Sequence, residues 1–419
     1  MLKHPLVPIF FTVFVDLIGF GIIIPIIPLV LANPQSSFFM LPANLTLSDG
    51  YVLLGYMTAI FPFAQFFATP ILGQFSDKFG RKPLLAFSLI GTLFSRILFG
   101  IGLLTRNLPL LFFSRALDGI TGGNISVAQA AVADITTPQN RAKNFGLLGA
   151  AFGLGFILGP YIGGKLSDPT LVSWFDAATP FWFASILCFV NILFVLFLFP
   201  ETLHKEKRAE VINWAKSIFN IFHAWTYKEL RALFATNFLF FSGFTFFTTF
   251  FSVYLINRFH FNQGNIGDFF SYIGLWVALT QAILTRQLSK RFSETNILKF
   301  SLIAVGLSVF LYFFPTQWWQ LLFIVPFFAI FNGLSSANLT ALISRSAGPS
   351  VQGEVLGINA SVQALAQTIP PILSGYIAAK LTPESPIFIA GITLLLAGIV
   401  FFFFYHRQAV TRENLANEQ

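Results

Sequence analysis

The chain has 419 residues, of which 55% are hydrophobic and 10% are charged, and its mean hydropathy is +0.75. Soluble domains carry about 25% charged residues, so a soluble core is excluded and the bilayer must act as solvent. The net charge of +8 fits lysines and arginines in cytoplasmic loops, and no nucleic-acid partner is expected. One cysteine and five scattered histidines exclude an intrachain disulfide and predict neither a metal site nor a cofactor.

Twelve stretches of the chain are long and apolar enough to cross a bilayer. Each must be a helix, because lipid offers no partner for free backbone groups. We therefore expect an all-α membrane protein with twelve transmembrane helices in two pseudo-symmetric six-helix bundles. The predicted spans are residues 5–32, 51–75, 83–104, 108–134, 143–165, 178–200, 231–257, 264–288, 296–314, 319–343, 354–378 and 384–405.

A long charged stretch separates the two halves. Its apolar residues recur every three to four positions, which predicts an amphipathic helix lying on the inner membrane surface and tethering the halves. The expected domains are an N-terminal bundle at 1–200, the cytoplasmic linker at 201–230, a C-terminal bundle at 231–406 and a cytoplasmic tail at 407–419.

The two halves also read as repeats. Pro138 and Pro160 recur 211 residues later as Pro349 and Pro371, and Gly146 recurs as Gly357 in the same register. Internal symmetry of this kind is typical of two-lobed transporters, whose substrate site lies between the lobes near the midplane.

The distribution of basic residues predicts the orientation. With the N-terminus inside, 19 lysines and arginines fall in inner segments and four in outer segments. Positive residues accumulate on the cytoplasmic side, so both termini are expected there. Short loops and this bias suit a multi-pass protein of the bacterial inner (cytoplasmic) membrane.

The connection between the second and third spans carries the first specific motif. It reads Gly73-Gln-Phe-Ser-Asp77-Lys-Phe-Gly80-Arg81-Lys-Pro and joins two spans in a tight hairpin. All six defining positions resemble the Gly-x-x-x-Asp-Arg/Lys-x-Gly-Arg-Arg/Lys pattern of the major facilitator superfamily of transporters. In the alternative interpretation, the segment is an ordinary positively charged cytoplasmic loop.

Two further stretches resemble tetracycline/proton antiporters and their bacterial relatives. One begins at Asp16 in the first span, and the other runs from Ala133 to Gly146 after the fourth span. Arg115 and Gly119 match the arginine and glycine that the superfamily carries in its fourth helix. Together these resemblances cover most of the N-terminal half, whereas the C-terminal half shows mainly hydropathy and the repeat.

The fifth span resembles the helix-5 pattern of the drug:proton antiporter branch, where that pattern accompanies export. Small residues on one helix face let helices close tightly, and a Gly-Pro pair permits a bend. Packing without directional meaning is the alternative. The residues assigned to gating by this resemblance are Gly155, Gly159, Pro160, Gly163 and Gly164.

The resemblance also implies a latch that closes the inner face in the outward-open state. In the family the loop acid docks near the start of the eleventh helix, and the loop arginine meets the acid that ends the fourth. The matching residues are Gly73, Asp77, Gly80, Arg81, Asp134 and, at the start of the eleventh helix, Glu354.

Charged residues inside a bilayer are rare, expensive and usually functional. Two acids, Asp16 and Asp118, and two bases, Arg96 and Arg115, lie near mid-depth in the first, third and fourth spans. The C-terminal half has none near mid-depth, so proton coupling must belong to the first half. Asp16 is the expected proton carrier, with Asp118 as a second candidate. The alternative for both acids is a permanent salt bridge to an arginine.

Several polar residues are candidates for a substrate cavity, although each can instead hydrogen-bond between helices. Tetracycline exporters carry further acids in the third and ninth spans that this chain lacks, so basic cavity residues favour an anionic substrate instead. The candidates are Arg115, Arg96, Asn124, Gln129, Gln281, Asn332, Asn338 and Gln363.

These features predict proton-coupled efflux of a small organic compound by alternating access. Uptake of a metabolite or siderophore-like anion by proton symport is the alternative within transport, and a non-transporting sensor or assembly subunit is a third hypothesis. No nucleophile–base pair or phosphate loop is apparent, so no enzyme is expected. The expected partners are a small-molecule substrate, protons and the lipid bilayer, with the chain acting as a monomer.

Overall fold

The computed structural model describes residues 6–136, 141–203, 212–226, 230–346 and 352–405. The described residues form helices and turns, without a strand among them. Ten described helices have the length and apolar character of membrane spans. The divided fourth span and the long helix near the C-terminus complete the twelve predicted spans in two six-helix bundles.

In the first bundle, here called the N-lobe, the described residues form seven helices, because the fourth span is broken at Gly122 and Gly123. These helices are α1 (Leu6–Leu31), α2 (Leu47–Phe79), α3 (Arg81–Leu104), α4 (Leu108–Thr121), α5 (Asn124–Asp134), α6 (Arg141–Leu166) and α7 (Thr179–Leu198).

A short helix, α8 (Lys216–Thr226), precedes the second bundle, here called the C-lobe. The eighth span includes a π-helical turn at Thr280–Leu284 between two α-helical parts. The C-lobe helices are α9 (Arg231–Phe259), α10 (Gln263–Leu279), α11 (Thr285–Leu288), α12 (Glu294–Phe310), α13 (Leu321–Ser346), α14 (Gln352–Lys380) and α15 (Ser385–Phe404).

Stacked aromatic rings form the centre of the C-lobe core. The ring centroids of Phe247 and Phe251 lie 4.3 Å apart, and those of Phe247 and Phe328 lie 4.5 Å apart. The Tyr254 hydroxyl donates to the Tyr312 carbonyl at 2.5 Å, which satisfies a polar group inside this apolar cluster. The Phe251 ring also contacts Phe270 of α10, with centroids 5.9 Å apart, so these aromatic contacts join α9, α10 and α13.

The two faces of the helix bundle differ in how the lobes meet. The Gly80 face contains the α2–α3 turn, and the Arg106 face contains the α3–α4 turn. On the Arg106 face α2 packs against α14, and the hydroxyls of Tyr56 and Tyr376 lie 2.7 Å apart. On the same face α6 packs against α10, where Lys165 pairs with Asp268 at 2.8 Å. The lobes are thus joined at this face.

The lobes are separated towards the Gly80 face. A β-carbon added at Gly146 or Gly149 of α6, or at Gly357 of α14, would have no described heavy atom within 4 Å. By contrast, a β-carbon at Gly164 or Gly375 would meet the backbone of the opposite lobe. The space between the lobes therefore opens at the Gly80 face.

Helix α8 lies between the lobes at the Gly80 face. The Asn220 amide donates to the Ser361 hydroxyl of α14 at 3.1 Å, and the Gln74 side chain exchanges hydrogen bonds with the Asn213 backbone. Ala224 is buried, but four large apolar side chains of this segment remain exposed, as expected for a helix at a membrane surface. They are Trp214, Ile218, Phe219 and Phe222.

Candidate functional site

A cavity of about 490 Å³ lies between the lobes. Helices from both lobes line it, and most of its wall is apolar. Mostly apolar clefts of this size, with a few convergent polar groups, are the usual binding sites for small molecules. The cavity contains all four predicted membrane charges, namely Asp16, Arg96, Arg115 and Asp118.

Arg96 ties three helices of the N-lobe together. Its guanidinium is buried, and one nitrogen lies 3.6 Å from an Asp16 carboxylate oxygen. The same group donates to the backbone carbonyls of Val15 in α1 and Ala184 in α7, each at 3.1 Å. A β-carbon at Gly19 would overlap the guanidinium, so glycine makes room for it. Arg96 therefore both neighbours Asp16 and braces the lobe.

Arg115 and Asp118 form a second pair on one face of α4, separated by 3.3 Å. The guanidinium carbon of Arg115 also lies 4.6 Å from the ring centroid of Phe61, within cation–π range. The Arg115 Nε has no hydrogen-bond partner among the described residues. Both bases of the cavity thus already contact an acid.

The broken fourth span lies beside this charge cluster. The Gln65 amide of α2 donates to the Gly122 carbonyl at 3.0 Å, and so takes up a backbone acceptor that the break releases. Gly119 packs against the Phe61 backbone and Gly123 against Leu72, so small residues let α2 approach the break closely. The next helix, α5, begins at the break with Asn124.

The C-lobe contributes an uncharged polar wall. Gln281 lies in the π-helical turn and lines the cavity, as does Asn332 of α13. Single π-helical turns are frequent at functional sites. The buried Asn332 Oδ1 has no hydrogen-bond partner among the described residues. Hydroxyls complete this wall, at Thr245, Thr248, Thr249, Ser252 and Ser336.

The cavity does not reach four of the predicted residues in this conformation. The Asn338 amide donates to the Leu334 carbonyl of its own helix at 2.8 Å. Gln129 is exposed on α5, and Gln363 is partly buried on α14 outside the cavity lining. Asn124 is fully buried behind the wall, where it neighbours Asp16. Arg96, Arg115, Gln281 and Asn332 do line the cavity.

Aromatic rings form much of the wall, which sequence reasoning did not identify. In a chain with 56 phenylalanines, the sequence gives no sign of which rings face lipid and which face the cavity. Rings supply large apolar contact area at a binding site. The cavity phenylalanines are Phe20, Phe61, Phe152, Phe156, Phe240, Phe241 and Phe244.

The glycines of the fifth span face two different helices. β-Carbons at Gly155, Gly159 and Gly163 would meet α1, where Gly159 approaches Gly21. A β-carbon at Gly164 would instead meet α10 across the lobe boundary, and the Pro160 carbonyl lies against Gly267 of the same helix. Helix α6 is thus packed tightly between one helix of its own lobe and one of the other.

The α2–α3 turn gathers the predicted latch residues of the N-lobe. The buried Arg81 side chain pairs with Asp77 at 2.6 Å and with Asp134 at 2.9 Å, and it donates to the Ser76 hydroxyl at 2.5 Å. The pairing of the loop arginine with the acid that ends α5 is the contact that the family resemblance implies. Gly73 has open space around its α-carbon, and the Glu354 side chain lies outside the described residues.

Glu201, at the end of the N-lobe, contacts this turn, and the sequence analysis did not identify it. Its carboxylate accepts the backbone N–H groups of Arg81 and Lys82, at 2.9 and 3.1 Å. It therefore caps the positive N-terminus of α3. Gly80 has φ of +112°, and a β-carbon there would also overlap the Glu201 carboxylate, so glycine is required at this position.

The C-lobe carries a counterpart of the Arg81–Asp134 pair with reversed charge. The register that places Lys290 opposite Asp77 also places Glu294 opposite Arg81, and the repeat of 211 residues places Arg345 opposite Asp134. Glu294 and Arg345 form an ion pair at 2.6 Å. The second copy of the motif therefore also has an ion pair between the corresponding helices, but the acid and the base have changed places.

Two repeated bundles that enclose a mostly apolar cavity with a few polar and charged groups, joined at one face and separated at the other, define a membrane transporter. Among the described residues, no group of three His, Cys, Asp or Glu side chains could hold a metal ion.

Comparison with known proteins gives the family. The model of the Major Facilitator Superfamily matches residues 9–369, with a second match over 233–419. The chain is 29% identical to the class C tetracycline resistance protein of Escherichia coli over 371 residues, covering 88% of this chain and 89% of that protein. It is 28% identical to multidrug resistance protein 2 of Bacillus subtilis over 391 residues, covering 92% and 91%. The chain belongs to the Major Facilitator Superfamily, and it is a transporter and not an enzyme.

The fold also matches a solved structure of this kind. The human organic anion transporter MFSD10 (TETRAN) superposes with a TM-score of 0.72 at 23% identity, covering 96% of this chain and 100% of that one.

Proposed function

We propose that this protein exports small organic compounds in exchange for protons, by alternating access between its two lobes. One observation carries the proposal: a single cavity joins the Asp16–Arg96 pair of the N-lobe to an uncharged polar and aromatic wall of the C-lobe. A proton site and a compound site that share one cavity can be occupied in turn as the cavity alternates. The relatives named for tetracycline and multidrug resistance support export as the direction.

The proposed residue roles follow from this shared cavity. Asp16 carries the proton, because one of its oxygens has no hydrogen-bond partner among the described residues. Asp118 is held by Arg115 and is a secondary proton site. The compound presents apolar or aromatic surface to the phenylalanines and polar groups to Gln281 and Asn332. Both bases already contact an acid, so an anionic group on the compound is not required.

The proposed membrane arrangement takes the Gly80 face as cytoplasmic, with both termini on that side of a bacterial inner membrane. The separated Gly80 ends then make this conformation inward-open, ready to load a compound from the cytoplasm. The latch of Asp77, Arg81, Asp134 and Glu354 would close this face in the outward-open state. Each chain forms a complete pathway between its own lobes, so a monomer is expected to transport.

Everted membrane vesicles test the proposal. Respiration acidifies the vesicle interior, and a pH-sensitive dye reports the gradient. A transported compound should enter as protons leave and so restore the dye signal. The panel should contain tetracyclines, quinolones, cationic dyes and aromatic carboxylates. We expect at least one compound to dissipate the gradient with the wild-type protein and none to do so with Asp16→Asn.

Asp49→Asn is the matched control, since Asp49 is an exposed acid at the start of α2. It should behave as wild type at equal membrane abundance. If no compound acts, export is contradicted, and compound-driven alkalinisation outside energised whole cells would instead indicate uptake by symport. If Asp16→Asn responds like wild type, the proton is carried elsewhere.

A further inference from the structure

Among the buried asparagines of the described chain, Asn124 is the one for which both polar side-chain atoms lack a hydrogen-bond partner. Its side chain is fully buried, yet neither its Nδ2 nor its Oδ1 has a hydrogen-bond partner there. Asn124 lies beside Asp16 where α1 and α5 pack together, but no hydrogen bond joins the two side chains. The Oδ2 of Asp16 also lacks a partner. Both helices of the α1–α5 contact therefore bring an unpaired, buried polar side chain to it.

Buried polar groups are rarely left unpaired, because doing so costs the desolvation energy of the group. Another buried asparagine of the described chain shows how such a side chain can be satisfied. Asn338 of α13, in the C-lobe, bonds the Leu334 carbonyl of its own helix at 2.8 Å. Asn124 has no such bond, since the break at Gly122 and Gly123 leaves it at the first position of α5. Because no continuous helix precedes Asn124, its side chain cannot bond a carbonyl four residues earlier in the way that Asn338 does.

A carboxyl group that exchanges a proton needs a partner suited to both of its states. The ionised form accepts hydrogen bonds, whereas the protonated form must donate one. An amide carries an acceptor and a donor on one rotatable group, so it can present Nδ2 to the first state and Oδ1 to the second. Arg96, which can only donate, serves the ionised state alone.

We infer that Asn124 is the positioning residue of the proton site, turning its amide to bond Asp16 in both the ionised and the protonated state. This inference rests on the proposed role of Asp16. The break in the fourth span supplies the freedom that this turning needs. It also directs the start of α5, with its partial positive charge, towards the cluster that holds Asp16.

The other groups that act on Asp16 are known from the same structure. Arg96 of α3 lies 3.6 Å away, Asp118 of α4 acts through space and is itself paired with Arg115, and the buried Cys188 lies within electrostatic reach on α7. A substitution at Asn338, a buried asparagine of the C-lobe, therefore provides the control, because it leaves all of these groups and Asn124 unchanged.

Infrared difference spectroscopy of purified protein during a pH titration tests the inference without a transport substrate. The stretching band of a protonated carboxyl that is present in wild type and absent in Asp16→Asn belongs to Asp16. In Asn124→Leu, which has similar volume but cannot hydrogen-bond, we expect this band to move to higher frequency. We also expect its titration midpoint to rise by about 0.5 to 1 pH unit, because a hydrogen bond to the charged form is roughly twice as strong as one to the neutral form.

Asn124→Ser keeps a donor and an acceptor and should restore the wild-type midpoint in part, whereas Asn338→Leu should leave it unchanged. If Asn124→Leu does not accumulate as a monodisperse protein, Asn124→Ala carries the same expectation. An unchanged band and midpoint in a folded Asn124 variant would overturn the inference. Absence of an Asp16 band in wild type would contradict the proposed proton site itself, so the two failures are distinguishable.

Discussion

The two lobes repeat one set of helices but place their charges differently. In the N-lobe four charges lie in the cavity, whereas the cavity residues of the C-lobe that the structure describes are uncharged. At the Gly80 face each lobe has an ion pair. The arginine of the N-lobe pair, Arg81, is buried, whereas the side chain of the C-lobe arginine, Arg345, is 72% exposed. The repeat thus keeps the positions of the two ion pairs, and we expect the pair with the buried arginine to contribute more to stability than the exposed one.

The turns that begin α3 and α12 differ in the same way. Glu201, more than a hundred residues away in sequence, caps α3 through two backbone N–H groups. In the C-lobe, Ser293 occupies the position of Gly80 and caps its own helix by accepting from the Asn296 N–H at 3.4 Å. The first turn therefore depends on contacts with α5 and the end of the N-lobe, and the second depends mainly on its own residues.

Among the changes predicted here, removal of Arg96 should lower the stability of the protein most. Arg96→Leu leaves the buried Asp16 carboxylate unpaired and removes two bonds to backbone carbonyls. Breaking a buried pair from one side costs about 3 to 5 kcal/mol. We expect thermal unfolding in detergent at a clearly lower temperature and little protein in the membrane. Arg286→Leu, at an exposed arginine of the C-lobe, should unfold like wild type.

Reversing the charge of the N-lobe pair should have the next largest effect. Arg81→Glu places a third acid beside Asp77 and Asp134, so transport should fall by about 10-fold, a barrier change of about 1.4 kcal/mol. Combining it with Asp134→Arg recreates the polarity of Glu294–Arg345 and should restore part of the loss. A double-mutant cycle on unfolding should give a coupling of about 1 to 3 kcal/mol. A double variant worse than both single variants would contradict the equivalence of the two pairs.

Substitutions in the uncharged C-lobe wall should weaken binding of the compound without changing proton binding. Gln281→Ala or Asn332→Ala removes a hydrogen-bonding group from the cavity. We expect the compound concentration for a half-maximal vesicle response to rise about 5- to 10-fold, as for one lost hydrogen bond of about 1 to 1.4 kcal/mol. The pH dependence of the response should not change. Asn338→Ala, outside the cavity, is the control for a buried asparagine on the same helix as Asn332.

Breaking the C-lobe pair should have the smallest effect. Arg345 is mostly exposed, and exposed ion pairs contribute about 0 to 1 kcal/mol. Glu294→Gln should therefore change the unfolding temperature little, and less in high salt than in low salt. The matched change in the N-lobe, Asp134→Asn, should destabilise more because Arg81 is buried. Equal effects of the two variants would contradict the role assigned to burial.

Local patterns predicted most of the fold. The twelve spans follow from hydropathy, and the Gly80 turn follows from a motif whose arginine does pair with Asp134. The break of the fourth span was not predicted, although Gly122-Gly123 stands in the sequence, because paired glycines also occur in continuous membrane helices. The π-helical turn at Gln281 likewise has no local signature that we recognised.

The cavity was predicted less well than the spans, since its composition depends on how separate helices rotate against each other. Gln281 and Asn332 face it, whereas Asn338, one to two turns beyond Asn332, bonds its own backbone. The capping role of Glu201 is a contact between distant segments, so no spacing rule reveals it. The repeat registers do place Glu294 opposite Arg81 and Arg345 opposite Asp134, but the sequence does not show that these two side chains pair.

Proton release on compound binding tests the division between the lobes most directly. Purified protein in weakly buffered detergent, with a soluble pH indicator, receives a saturating amount of a compound found in the vesicle assay. We predict that wild type and Gln281→Ala release protons in equal amount at saturation, and that Asp16→Asn releases none. Equal release from Asp16→Asn would contradict the account, because the exchanged proton would then lie outside the N-lobe site.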